Sequence, residues 1–113
     1  KDELLELVQE TRNVEANDRI FDYVTTLAEA TRTHPMVELG VSPRGALALC
    51  RMAKAHAFLA GRDFVVPEDV AAVFPDVCAH RLILSAKARM MEEKAENILA
   101  EILKSVDMPV LKA

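Results

Sequence analysis

The sequence has little that would send it into a membrane, onto a nucleic acid or into a disulfide framework. Its longest strongly apolar stretches are interrupted by Arg, Lys or Asp well short of the roughly 18 residues that a spanning helix needs, and no leader pattern opens it. Positive charge is in short supply. The 14 Lys+Arg face 18 Asp+Glu, a formal charge of −4, so the broad basic face of a nucleic-acid binder is not expected. There are only two cysteines, Cys50 and Cys78, in apolar surroundings and without CxxC spacing. That pattern predicts two reduced, packed thiols in a cytoplasmic protein rather than a disulfide. His34, His56 and His80 lie far apart, and Cys78-x-His80 is the one ligand-like spacing, so no structural metal site is expected. Internal repeats, low-complexity tracts and long linkers are also lacking.

What is present is the composition of one globular domain: 113 residues, 51% hydrophobic and 28% charged, with no room for a second unit. The chain opens at Lys1 on Asp2-Glu3-Leu4-Leu5, which reads as the middle of an element in a longer polypeptide.

Periodicity predicts a mainly helical chain. Leu4, Leu5 and Val8 mark one face of a short first helix, and Val14–Ala16 reads as extended. Asn17 is a good N-cap for a second helix, with Asp18 at its positive end and Ile20, Val24, Leu27, Ala28 and Thr31 on one face. His34-Pro35 ends it, and Met36–Val41 reads as a connector. Ser42-Pro43 opens a third helix, with Ala46, Leu49, Cys50, Ala53, Ala57 and Ala60 on its apolar face, widened by Leu47 and Phe58 and closed by Gly61. A fourth helix starts at Pro67-Glu68-Asp69 and reaches Cys78 or Ala79. After His80-Arg81-Leu82-Ile83-Leu84 the chain turns or continues in short helical pieces, and Ser85 is a candidate cap for a new one. A final amphipathic helix carries Met91, Ala95, Ile98, Leu99, Ile102, Leu103 and Val106 and is stopped by Pro109. At most one short strand pair is expected, between Val14–Ala16 and Phe64–Val66.

Gly40-Val41-Ser42-Pro43-Arg44-Gly45 has the glycine spacing of a phosphate-binding loop but continues Ala46-Leu47 where Lys and Ser/Thr are required. It is not a P-loop, and the chain alone has no visible machinery for nucleotide hydrolysis. Arg44 is the oddity, because a cation in a first helical turn opposes the dipole at a cost of ~0.3–1 kcal/mol. Either a neighbouring carboxylate or an anionic ligand would compensate. Arg32, at the end of the second helix, and the pair His80-Arg81 admit two readings each, as interface residues or as groups satisfying helix carbonyls, and for His80-Arg81 the capping reading is preferred. Arg62 follows the helix stop and reads as an anchor for that turn. A Cys50–His56 dyad fails because six residues apart on a helix point in different directions. Met90-Met91 and the last apolar stripe could bind a partner, although ordinary packing explains them more simply.

The ordered set of Gly40-x-Ser42-Pro43-Arg44, a long small-residue helix to Gly61-Arg62-Asp63-Phe64-Val65, then Pro67-Glu68-Asp69-Val70 and His80-Arg81-Leu82 resembles the lid of MoxR-family AAA+ ATPases. The likeness covers nearly the whole chain, and Tyr23-Val24, Leu27, Thr31-Arg32 and His34-Pro35 extend it upstream. Val66 departs from the family pattern where a hydroxyl-bearing cap is common, and Cys78 replaces a more usual aliphatic residue. The resemblance implies an all-α, AAA+ C-terminal lid-type bundle spanning residues 1–113 as one domain, with the P-loop core domain N-terminal to it. It implies that Arg44, supported by Ser42 and Pro43, is the sensor 2 arginine that reaches the terminal phosphates of ATP. It further implies ATP and Mg2+ bound mainly by that core domain, a homo-oligomeric ring, and a chaperone-like action on client proteins that the sequence does not identify. The isolated chain is expected to be inactive. The rival reading is a standalone helical adaptor that binds a protein through its final amphipathic stripe.

Overall fold

A computed structural model describes residues 14–109. Five α-helices are found among them: α1 (Asp18–Thr33), α2 (Pro43–Leu59), α3 (Pro67–Cys78), α4 (Ala86–Met90) and α5 (Ala95–Ser105). Two short strands, β1 (Val37–Leu39) and β2 (Ile83–Leu84), complete the set, with a 3-10 turn at Ala79–Arg81. The helix expected around Leu4, Leu5 and Val8 lies outside the described residues.

The helix starts follow local chemistry. The Asn17 side chain accepts from the Ile20 amide at 3.1 Å, Ser42 Oγ accepts from the Gly45 amide at 3.2 Å, and Ser85 Oγ accepts from the Ala88 amide at 3.1 Å. Val66 has no side-chain acceptor, and the cap of α3 is completed from the other direction: the Val66 amide donates to the Asp69 carboxylate at 2.8 Å. Gly61, at φ +82, closes α2 with two bonds, from its own amide to the Phe58 carbonyl and from the Arg62 amide to the Ala57 carbonyl.

The core gathers Ile20, Val24 and Leu27 of α1, Leu49 and Ala53 of α2, Val70 and Phe74 of α3, and Ile98, Leu99 and Ile102 of α5. α2 packs chiefly on α3, while α5 lies against α3 and α1. The stripe that the adaptor reading needs free is thus the one that fills the core: Ile98, Leu99 and Ile102 are at most 2% exposed.

The strand expectation requires correction in place though not in number. Glu15 and Phe64 make a single parallel bridge, with the Glu15 amide donating to the Asp63 carbonyl and the Val65 amide to the Glu15 carbonyl. The antiparallel ladder is instead formed by β1 and β2, Val37 opposite Leu84 and Leu39 opposite Ile83, from segments expected to be irregular or helical. The final helix begins at Ala95, not Met91, because Glu92 takes φ 57 and ends α4 first. Its end at Ser105 precedes Pro109, so the proline does not stop it. Met90 and Met91 are exposed rather than packed, as are Leu47 and Ala60. Leu47 borders an apolar groove between α1 and α2, together with Phe21, Val24, Ala28, Pro43 and Cys50, which no described element fills.

Candidate functional site at the start of helix α2

Val41, the residue before the Ser42 cap, is fully buried, and both its amide and its carbonyl are held by the last turn of α1. Its amide donates to Thr31 Oγ1 at 2.9 Å, and its carbonyl accepts from Arg32 Nε at 2.9 Å. Thr31 is itself buried and donates to the Ala28 carbonyl. Gly40 lies so close to α1 that a Cβ there would stand 2.7 Å from the Arg32 amide nitrogen and 2.8 Å from its Cα. A glycine is required at this crossing because the obstacle is backbone. Arg32 is therefore engaged in fixing the entry to α2, through a carbonyl that precedes a helix and not, as the capping reading has it, one that ends a helix.

Pro43 occupies the first turn of α2 with its fixed φ, and Arg44 follows, exposed. That turn has no acidic residue, and among the described residues no carboxylate pairs with Arg44. Gly45 is buried: a Cβ there would meet Val41 Cγ1 at 2.8 Å, Arg81 Cδ at 3.2 Å and Ser42 Oγ at 3.7 Å. The stem of Arg81, which ends the 3-10 turn after α3, thus comes across the first turn of α2. His80 and Arg81 were expected to cap the carbonyls of the preceding helix. Neither side chain has a hydrogen-bond acceptor among the described residues, and both are exposed. Arg32, Ser42, Pro43, Arg44 and Arg81 are brought together around one short backbone segment, whereas nothing ties His80 to it.

A second polar cluster lies elsewhere, between α2 and α3. Asp69 has no exposed surface, accepts from the Val66 amide, and meets His56 Nδ1 at 2.7 Å and an Arg62 terminal nitrogen at 2.5 Å. Burial alone would raise the pKa of this carboxyl, but the Val66 amide, His56 and Arg62 outweigh it, and the pKa is lowered. Its members join the end of α2 to the start of α3, so the cluster is architectural. The sequence had one signal for it, an acid three residues after a cap position without a hydroxyl; the His56 contact spans thirteen residues and left none.

No group of three or more His, Cys, Asp or Glu among the described residues is placed to hold a metal ion. None of the helices there is long and apolar enough to cross a membrane. Cys50 and Cys78 are both free thiols, Cys50 half-buried and Cys78 buried.

Comparison with known proteins agrees with this architecture. The family model of the AAA lid domain matches residues 29–102, which runs from the last turns of α1 to α5 and includes the Ser42-Pro43-Arg44 start. The chain is 40% identical over its whole length to the uncharacterised protein YeaC of Bacillus subtilis, covering 35% of that protein. It is 33% identical to the chaperone MoxR1 of Mycobacterium tuberculosis over 98% of its length, covering 32% of that protein. A crystal structure of a candidate ATPase from Cytophaga hutchinsonii superposes on 90% of the chain with a TM-score of 0.85 and 32% identity, and the match takes up 34% of that protein. The chain therefore spans about a third of the length of these relatives. With five helices and a single antiparallel strand pair among the described residues, and with this set of relatives, the chain belongs to the AAA lid domain family and to the MoxR branch of the AAA ATPases.

Proposed function

We propose that this lid closes over ATP held by a P-loop core domain lying N-terminal to it, and that Arg44 contacts the terminal phosphates. One observation carries the reading. Arg44 stands exposed in the first turn of a helix whose start is braced from α1, in a turn without acidic residues and without an ion-pair partner among the described residues. The carboxylate that would make this charge purely structural is missing there, and a phosphate would gain both from the guanidinium and from the dipole. In the intact protein, nucleotide turnover in the core domain, with Mg2+, would move the lid within a homo-oligomeric ring in the cytoplasm and drive remodelling of client proteins. MoxR1 bears the name of a chaperone, which supports that direction.

The test is Arg44→Ala and Arg44→Lys in the intact ATPase. The alanine variant should melt as wild type does, since an exposed charge of this kind contributes within about 0.5 kcal/mol of stability. Its ATP affinity or turnover should fall on the order of tenfold, the worth of a charge-assisted contact. Lysine should rescue in part, because it keeps the charge without the planar donor fork. Wild-type affinity and turnover in both variants would refute the assignment, and an unfolded alanine variant would show Arg44 to be structural.

A further inference from the structure

We propose that Arg81 is a second phosphate-facing residue, acting beside Arg44 on the same nucleotide; this rests on the nucleotide reading of Arg44. The placement of Arg81 does not follow from the start of α2, because it arrives from another element, the 3-10 turn at Ala79–Arg81 that follows α3. Its Cδ would stand 3.2 Å from a Cβ on Gly45, and Ser42 Oγ 3.7 Å from that same point. The guanidinium begins one bond beyond Cδ, so it is delivered to the turn that bears Arg44. A Cβ at position 45 would press on the stem, which lies that close because the residue is glycine.

The electrostatics of this arrangement call for an anion. Arg81 is exposed and, among the described residues, makes no ion pair. A second guanidinium brought to a helix start whose first turn already bears one adds a cation where the dipole disfavours it. Of the neighbouring polar side chains, Arg32 bonds the Val41 carbonyl through Nε and Ser42 Oγ accepts from the Gly45 amide. Arg44 and Arg81 approach from separate elements, which suits a ligand with several charged oxygens on adjacent phosphorus atoms. A nucleoside triphosphate has that chemistry, and each guanidinium can take a different oxygen or pair of oxygens.

The contact with Gly45 uses only the aliphatic stem of Arg81, whereas a phosphate contact uses its charge, and substitution separates the two. Arg81→Met in the intact ATPase keeps an unbranched stem over Gly45 and removes the guanidinium. It should melt as wild type does and bind ATP, or a non-hydrolysable analogue, roughly tenfold more weakly. Arg81→Lys should fall between the two. If the methionine variant proves less stable, Arg81→Gln is the second uncharged variant. Wild-type ATP affinity in either uncharged variant, folded by circular dichroism, overturns the proposal. Arg44→Ala measured alongside tells the two readings apart. Impaired Arg44→Ala with normal Arg81→Met removes Arg81 alone, whereas normal ATP binding in both removes the nucleotide reading itself.

Discussion

Asp69 and His56 meet at 2.7 Å across the α2–α3 interface, and the carboxylate has no exposed surface while the imidazole side chain is 44% exposed. The pair therefore has one end in the core and one at the surface. Its third member, Arg62, is 26% exposed and has a buried Nε without a partner. Removing the carboxylate strands Arg62 and the Val66 amide together, so Asp69→Ala should lower stability by about 3 kcal/mol. Asp69→Asn, which keeps the shape and one acceptor, should cost less. Acid dependence follows from the lowered pKa of Asp69. The unfolded carboxyl binds its proton at a higher pH than the folded one, so the contribution is complete above the ordinary aspartate pKa, about 3.9, and is lost as pH falls through the lower folded value. Denaturant titrations across that range should show an acid limb in wild type that flattens in Asp69→Asn. An unchanged limb would mean that other carboxylates dominate.

Gly40 and Arg32 define a crossing without slack. A methyl group at position 40 would collide with the backbone of Arg32, which cannot rotate away as a side chain could. Gly40→Ala should therefore cost roughly 2 kcal/mol, and Arg32→Ala about 1 kcal/mol through the lost bond to the Val41 carbonyl. Thermal melts of the two variants would check the order. A neutral Gly40→Ala would show that α1 and α2 can part without penalty.

Two helix ends offer opposite substitutions. Gly61 has φ +82 with nothing within 4 Å of an added Cβ, so Gly61→Ala should cost about 1 kcal/mol from backbone conformation alone. Glu92 takes φ 57 in the same kind of turn, with its amide on the Arg89 carbonyl and the Glu93 amide on the Ala88 carbonyl. Glu92→Gly should stabilise by about 0.5 kcal/mol, the relief of strain less the added freedom of the unfolded chain. Loss of stability on Glu92→Gly would point to a role for the carboxylate.

Thiol labelling reports on packing. Burial pushes the Cys78 thiol up to about 11, against the opposing charge of Arg81, and burial also raises Cys50, with Lys54 opposing. At pH 8 the thiolate fraction of Cys78 is on the order of one in a thousand, in a side chain with no exposed surface. In the native protein an alkylating reagent should modify Cys50 slowly and Cys78 only through unfolding, as mass spectrometry would resolve. Cys78 labelling at the rate of a free thiol would contradict its burial.

The elements that could be read from sequence are those whose information is local. Asn17, Ser42 and Ser85 each cap a helix within three residues of their acceptor contact, and Gly61 closes α2 within four. The β1–β2 ladder was illegible because its strands are two and three residues long and their pairing joins Leu39 to Ile83 across two intervening helices. Met91 fitted the period of the last helix, yet the left-handed turn at Glu92 interrupts it, and glutamate announces no such turn. Leu47 fitted the face of α2 equally well, but the groove beside it stays open. At the candidate site, Ser42-Pro43-Arg44 was visible as a motif. The convergence of Arg32 and Arg81 on it was not, since it depends on the close approach permitted by Gly40 and Gly45.

The double anchorage of Val41 makes α1 a lever. The amide and the carbonyl of the residue before Ser42 are gripped by Thr31 and Arg32, and its side chain is locked in the core, so a displacement of the α2 start is passed on to α1. α1 has 16 residues and is about 24 Å long. A pull at its C-terminal end is delivered, as a tilt of the whole rod, to the Asn17 cap and the Glu15–Phe64 bridge next to it. That bridge joins the residues just before α1 to those just before α3, so one rod ties the starting points of α2 and α3 together.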